Sequence, residues 1–172
     1  AINGGSITTS GTQTYGETAA LGADTTLTGT TVTLGGVNGA HALAIAGNAV
    51  LGTTGASTAL NQLSITGSST LNGDVTTTGA QAYTGTVTLG NDITLAAGSG
   101  DVTFTGALGG AHLLNVNSSG ATTFGGAVNV ASLYTDAGGT LALNGGSVTT
   151  SGYQYYGETA VLGTDTTLTG PS

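Results

Sequence analysis

Gly11-Thr12-Gln13-Thr14-Tyr15 returns as Gly79-Ala80-Gln81-Ala82-Tyr83 and again as Gly152-Tyr153-Gln154-Tyr155-Tyr156. After the last Tyr of each, at the same distance, stands Leu-Gly-x-Asp: Leu21 to Asp24, Leu89 to Asp92 and Leu162 to Asp165. Gln13, Gln81 and Gln154 are spaced by 68 and 73, and the three aspartates keep the same two spacings. Gly39-Ala40-His41 and Gly110-Ala111-His112 follow the same beat, at a spacing of 71. A longer period lies above this one. Residues 6–24 match 147–165 better than either matches the middle copy. Tyr15-Gly16-Glu17-Thr18-Ala19 reappears, at a spacing of 141, as Tyr156-Gly157-Glu158-Thr159-Ala160. Ala1-Ile2-Asn3-Gly4-Gly5 pairs in the same way with Ala142-Leu143-Asn144-Gly145-Gly146. Self-similarity at a fixed period is the mark of a stacked repeat, in which each unit buries its apolar side against its neighbours. The copies run approximately 1–70, 71–141 and, in part, 142–172, with no linker between them, so residues 1–172 read as one continuous segment. The first residue is Ala, no signal peptide is visible, and the pattern starts and stops at one phase. The expectation is a slice of a longer array, or a subunit that continues the array by stacking.

Inside each copy the local signal is β. Val32-Thr33-Leu34, Leu43-Ala44-Ile45, Leu63-Ser64-Ile65, Val87-Thr88-Leu89, Ile93-Thr94-Leu95, Val102-Thr103-Phe104, Val128-Asn129-Val130 and Leu141-Ala142-Leu143 alternate with period 2. Gly and Asn-Gly steps (Asn3-Gly4, Asn38-Gly39, Asn72-Gly73, Asn144-Gly145) punctuate them as turns do. Helix is disfavoured, because 33 Gly each cost about 1 kcal/mol at an interior helical site and almost no Glu, Lys or Arg offsets them. Strands this short need neighbours. A repeat of about 70 residues divides into three coils of about 23, which predicts a parallel, right-handed β-solenoid (β-helix) of about seven coils. At about 4.8 Å per coil the rod is roughly 35 Å long. An antiparallel β-sandwich is the alternative.

Composition removes whole classes of chemistry. The chain has no Lys, no Arg and no Cys, eight acids and a net charge of −8. Nucleic-acid affinity is largely cationic counterion release, so nucleic acid is excluded as a partner. Lysine chemistry, disulfides and thiolate metal sites are excluded with the residues themselves. No apolar stretch approaches the roughly 20 residues of a membrane helix, and with 38% hydrophobic residues the chain is not a disordered polymer.

The Thr- and Gly-rich units, with Gly-x-Gln-x-Tyr followed by Leu-Gly-x-Asp-Thr-x-Leu-Thr-Gly, resemble the repeat regions of very large bacterial surface proteins, the filamentous-haemagglutinin-like and autotransporter-passenger adhesins. The resemblance covers essentially the whole chain. It implies export to the cell surface, a long right-handed β-helical rod, and a role in adhesion or matrix building. Open solenoid ends expose unpaired strands, so neighbouring copies of the same repeat or subunit, stacked end to end, are the first expected partner, with host-cell or surface glycans as the second.

The candidate chemistry is thin. The acids are Glu17, Asp24, Asp74, Asp92, Asp101, Asp136, Glu158 and Asp165. Asp24, Asp92 and Asp165 are expected three coils apart, roughly 14 Å, too far to share a proton or an ion, and read as turn aspartates that accept backbone N–H bonds. Glu17 is replaced by Gly85 in the middle copy, so the repeat does not require it. His41 and His112, also expected three coils apart, cannot ligate one zinc ion. Gly98-Ser99-Gly100-Asp101 is a single echo of a calcium-roll turn, and adventitious calcium there is the one cofactor left open. Thr-x-Thr at Thr26, Thr31, Thr86, Thr103 and Thr167 has the alternation of an ice-binding file, at irregular intervals. Tyr15, Tyr83 and Tyr156 are expected to stack inside, while Tyr153 and Tyr155 are additions of the last copy. The sequence thus assigns no catalytic, cofactor-binding or metal-ligating residue. It predicts a non-enzymatic extracellular structural segment, with a self-stacking filament subunit or a glycan- or ice-binding module as alternatives.

Overall fold

A period-2 strand buries one side and leaves its backbone groups to be paired laterally. In the computed structural model, which describes residues 1–171, nineteen short strands and no helix do this in one continuous sheet wound about an axis. Every strand pairing is parallel, and each strand meets the strand one coil on. The alternative of an antiparallel sandwich is thereby overturned. All eight alternating triplets lie in strands, from Val32-Thr33-Leu34 within Thr25–Asn38 to Leu141-Ala142-Leu143 within Thr140–Leu143.

The coil has three faces. Face 1 stacks Ile7, Leu27, Ile45, Ile65, Tyr83, Phe104, Phe124, Leu143 and Leu162 in register, nine levels and hence about eight turns. Face 2 stacks Gln13, Val32, Ala49, Ser69, Val87, Leu108, Val128, Val148 and Leu168. Face 3 runs Ala19, Val37, Thr54, Val75, Leu95, Val116, Thr135 and Tyr156. These columns meet along the axis as a narrow core. On face 1 the rings of Tyr83 and Phe104 stack at 5.1 Å and those of Phe104 and Phe124 at 5.3 Å.

The coil is shorter than expected, which is why the chain makes about eight turns and not seven. The register steps from Thr31 to Asn48 at one extreme and from Gln81 to Val102 at the other, advances of 17 and 21. The difference lies at the corners, where the longest strands, Thr25–Asn38 and Ala42–Thr54, pass from face to face without a loop. Glycine makes this possible. Gly47, at the corner inside Ala42–Thr54, takes φ of +148°, where a Cβ would run into the carbonyl oxygen of Gly29 on the coil below, and Gly110, at the corner inside Leu108–Ser118, takes +126°, where a Cβ would stand 2.5 Å from the carbonyl oxygen of Leu89.

A shorter coil changes how the repeat maps on the rod. Gln13 stands on face 2, Gln81 on face 1 and Gln154 on face 3. From Gln13 the chain completes three coils to Ser69 and then crosses two further faces to reach Gln81. The same holds from Gln81 to Gln154. One sequence repeat therefore spans three coils and two-thirds, not three. Equivalent residues are turned by two faces at each repeat and rise by roughly 18 Å.

Candidate functional site

The recurring residues converge on corners. Asp24 precedes face 1 at Thr25 and Asp92 precedes face 3 at Ile93, so the two do not share a column, which corrects the expected three-coil stacking. Asp24 Oδ1 accepts the N–H of Ala42 at 2.9 Å, and Asp92 Oδ1 accepts that of Leu113 at 2.9 Å. Each partner lies on the next coil, so these are inter-coil braces rather than local turn bonds. The histidines complete them. His41 Nδ1 is 3.4 Å from Asp24 Oδ1 and His112 Nδ1 is 3.5 Å from Asp92 Oδ1. His41 and His112 themselves stand on different faces, before Ala42 and Leu113. In the sequence, Asp and His stand as separate markers. Each Asp is one coil from its His, a relation readable only once the coil length is known.

Asp74 and Asp101 brace in the same way, accepting Thr94 N–H at 2.7 Å and Ala121 N–H at 2.8 Å. The Asp101 carboxylate of the calcium-like turn is thus engaged by the next coil. Asp165 precedes Thr167–Thr169 on the last level of face 2. Among the described residues no group of three His, Cys, Asp or Glu lies together.

The Gln-x-Tyr motif is a buried clamp. Gln81 Nε2 donates to Val75 O at 3.2 Å, Thr77 Oγ1 at 3.2 Å and Ala96 O at 3.1 Å, while its Oε1 accepts the Tyr83 hydroxyl at 3.0 Å. Gln13 and Gln154 repeat the geometry with Thr9 and Thr150, reaching Thr28 O and Thr169 O at 2.7 Å. One amide thus ties a strand, the corner before it and the next coil. Gln81 is fully buried, and both polar atoms of its side chain are satisfied. Burial raises the Tyr83, Tyr156 and Tyr15 hydroxyls above the ordinary tyrosine range, and they act as donors.

Glu158 is the exception to this economy. It is 9% exposed, and neither carboxylate oxygen has a hydrogen-bond partner. Burial first, and the negative field of Asp136 second, push its carboxyl up to about 7; the Thr135 hydroxyl beside it offsets this in part. Thr135 Oγ1 is itself buried without a partner of normal geometry. Glu17, in the same pentapeptide, is exposed in the first coil.

The terminal coils leave inward columns uncovered. Leu162 and Leu168, at the top of faces 1 and 2, are 57% and 51% exposed. Ile2, Ile7, Tyr15 and Ala19 line an open cleft at the first coil. The outward Thr file is interrupted: on face 2 it runs Thr14, Thr33, Val50, Thr70, Thr88, Gly109, Asn129, Thr149.

Set against family models, curated proteins and solved structures, the chain matches none of them.

Proposed function

We propose that the chain is a structural segment of a large extracellular bacterial surface protein, forming a stiff rod for adhesion or matrix building, without enzymatic activity. The observation that carries the reading is where the repeat invests its recurring polar residues. Asp-to-backbone braces, Asp–His pairs and Gln–Tyr clamps all join one coil to the next. Joints that recur from copy to copy and tie each coil to the next supply the nearest-neighbour stability that a stacked rod depends on. The test is the intact mass and location of the native product. Antibody against the purified segment should decorate intact cells, and the native polypeptide should be many times 16.2 kDa. A cytoplasmic product of about that mass contradicts the proposal.

A self-stacking filament subunit is the second reading, favoured by the uncovered Leu162 and Leu168 at one end and the Ile2–Ile7–Tyr15 cleft at the other. Sedimentation decides between the two: concentration-dependent rods of the purified chain favour the filament, and a monomer at all concentrations favours the array segment.

A further inference from the structure

We propose that the outer surface of face 3, at its seventh and eighth levels, is a binding platform for a neutral, linear polysaccharide. The chain has six tyrosines. Tyr15, Tyr83 and Tyr156 point inward in the Gln–Tyr clamps. The other three point outward on neighbouring levels, Tyr134 and Tyr155 on face 3 and Tyr153 at the corner that leads into it. Tyr134 and Tyr155 are register partners on adjacent coils, with ring centroids 6.0 Å apart and planes tilted by 33°. Tyr153, two residues before Tyr155 and on the same side, is 74% exposed, and Tyr155 is 57% exposed. A shallow depression lined by Leu113, Asn115 and Tyr134 continues the patch.

The internal repeat supplies an independent argument. At the positions of Tyr153 and Tyr155 the first copy has Thr12 and Thr14, and the second has Ala80 and Ala82. At the position of Tyr134 the preceding copy has Ser64, in Leu63-Ser64-Ile65 against Leu133-Tyr134-Thr135. The scaffold therefore folds with small residues at all three sites. Tyr134 and Tyr155 belong to successive copies but lie one coil apart, so departures in two different copies meet on the same face at adjacent levels.

The chemistry of the patch selects its ligand. Exposed phenol rings offer flat apolar area with a polar edge, which suits the apolar face of a pyranose and its flanking hydroxyls. Thr94, Asn115, Tyr134 and Tyr155 form one register column parallel to the rod axis, a polar stretch leading into an aromatic one. Such a ladder matches a linear polymer laid along the rod. A net charge of −8 with no cation repels acidic polymers, and a second copy brings the same charge. The proposal stands on this face alone and is independent of the surface-protein reading.

The test uses the full chain and three substitutions that restore the repeat's own residues, Tyr134→Ser, Tyr153→Thr and Tyr155→Thr. The probes are microcrystalline cellulose and chitin for retention and hydroxyethylcellulose for affinity electrophoresis, with polygalacturonate as the acidic control. The chain has no Trp, so tyrosine fluorescence reports binding directly. The expected result is retention on a neutral polymer and none on polygalacturonate. Tyr155→Thr should weaken binding about fivefold, and the triple variant should abolish it with circular dichroism and melting unchanged. Failure to bind any of the three neutral polymers overturns the proposal, as does binding that the triple variant leaves intact. Self-association that the triple variant removes also overturns it, by assigning the patch to contact between copies.

Discussion

Replacing Glu158 by glutamine should stabilise the last coils, and only above the acidic range. In the folded chain this carboxyl, just before the strand Thr159–Leu162, is buried without a hydrogen-bond partner and titrates at about 7 instead of the ordinary 4.5. The folded state holds this proton between those two values while the unfolded chain releases it. Stability contributed here is therefore present at low pH, declines as pH rises from about 4.5, and is fully lost above about 7. Moving a carboxyl from 4.5 to about 7 corresponds to roughly 3 kcal/mol as an upper figure. About 2 kcal/mol is expected, because solvent screens the charge and the terminal coils open locally. The amide keeps the shape of the side chain without the charge. The assay is hydrogen exchange of the Thr159–Leu162 and Thr167–Thr169 amides across the neutral range, corrected for intrinsic exchange, with urea unfolding alongside. Wild type and Glu158→Gln should coincide near pH 4 and diverge by about 2 kcal/mol at pH 8, the variant being the more protected. Equal protection at pH 8, or a less protected variant, refutes the reasoning.

Gln81→Leu strips the buried carbonyls of Val75 and Ala96 and the Tyr83 hydroxyl of their partner, and should cost about 3 kcal/mol in urea unfolding. Phe104→Ala opens the middle of the Tyr83–Phe104–Phe124 stack and should cost about 3–5 kcal/mol by the same assay. Gly110→Ala, at φ +126° and 2.5 Å from Leu89 O, should destabilise by at least about 1 kcal/mol, whereas Gly4→Ala, with open space around it, should be near neutral. Trypsin should leave the chain intact even after unfolding, since it carries no Lys or Arg; any cut contradicts the stated sequence.

The strands were legible because alternation such as Val102-Thr103-Phe104 needs only local physics, one apolar face and a glycine corner. The parallel arrangement followed from a repeat that cannot bury itself alone. The coil length was not legible. Its strongest marker, Gln-x-Tyr, recurs at spacings of 68 and 73, and neither is a whole number of coils. With the coil set at a third of the repeat, the partners one coil away went unread: His41 for Asp24, and Thr28 O for Gln13. Glu17 and Glu158 show a second limit. Their pentapeptides are identical, but Glu158 has Thr135 and Asp136 on the coil beneath it, whereas Glu17 stands in the first coil. Depth in the stack separates them, and no local pattern encodes it. The outward tyrosines were legible as additions to the last copy, but their convergence with Tyr134 depends on the winding.

The winding is open to one direct test. The chain has no Cys, so pairs can be introduced freely. Thr103 and Thr123 are register partners on adjacent coils, and one coil rise of about 4.8 Å lies within the span a disulfide bridges. Thr103→Cys with Thr123→Cys should oxidise to a cross-linked monomer that melts no lower than wild type. Thr103→Cys with Gly126→Cys, the pair that a coil of one third of the repeat would align, should remain reduced. Cross-linking of the second pair and not the first would contradict the shorter coil seen in the register, and with it the turning of the repeat about the rod.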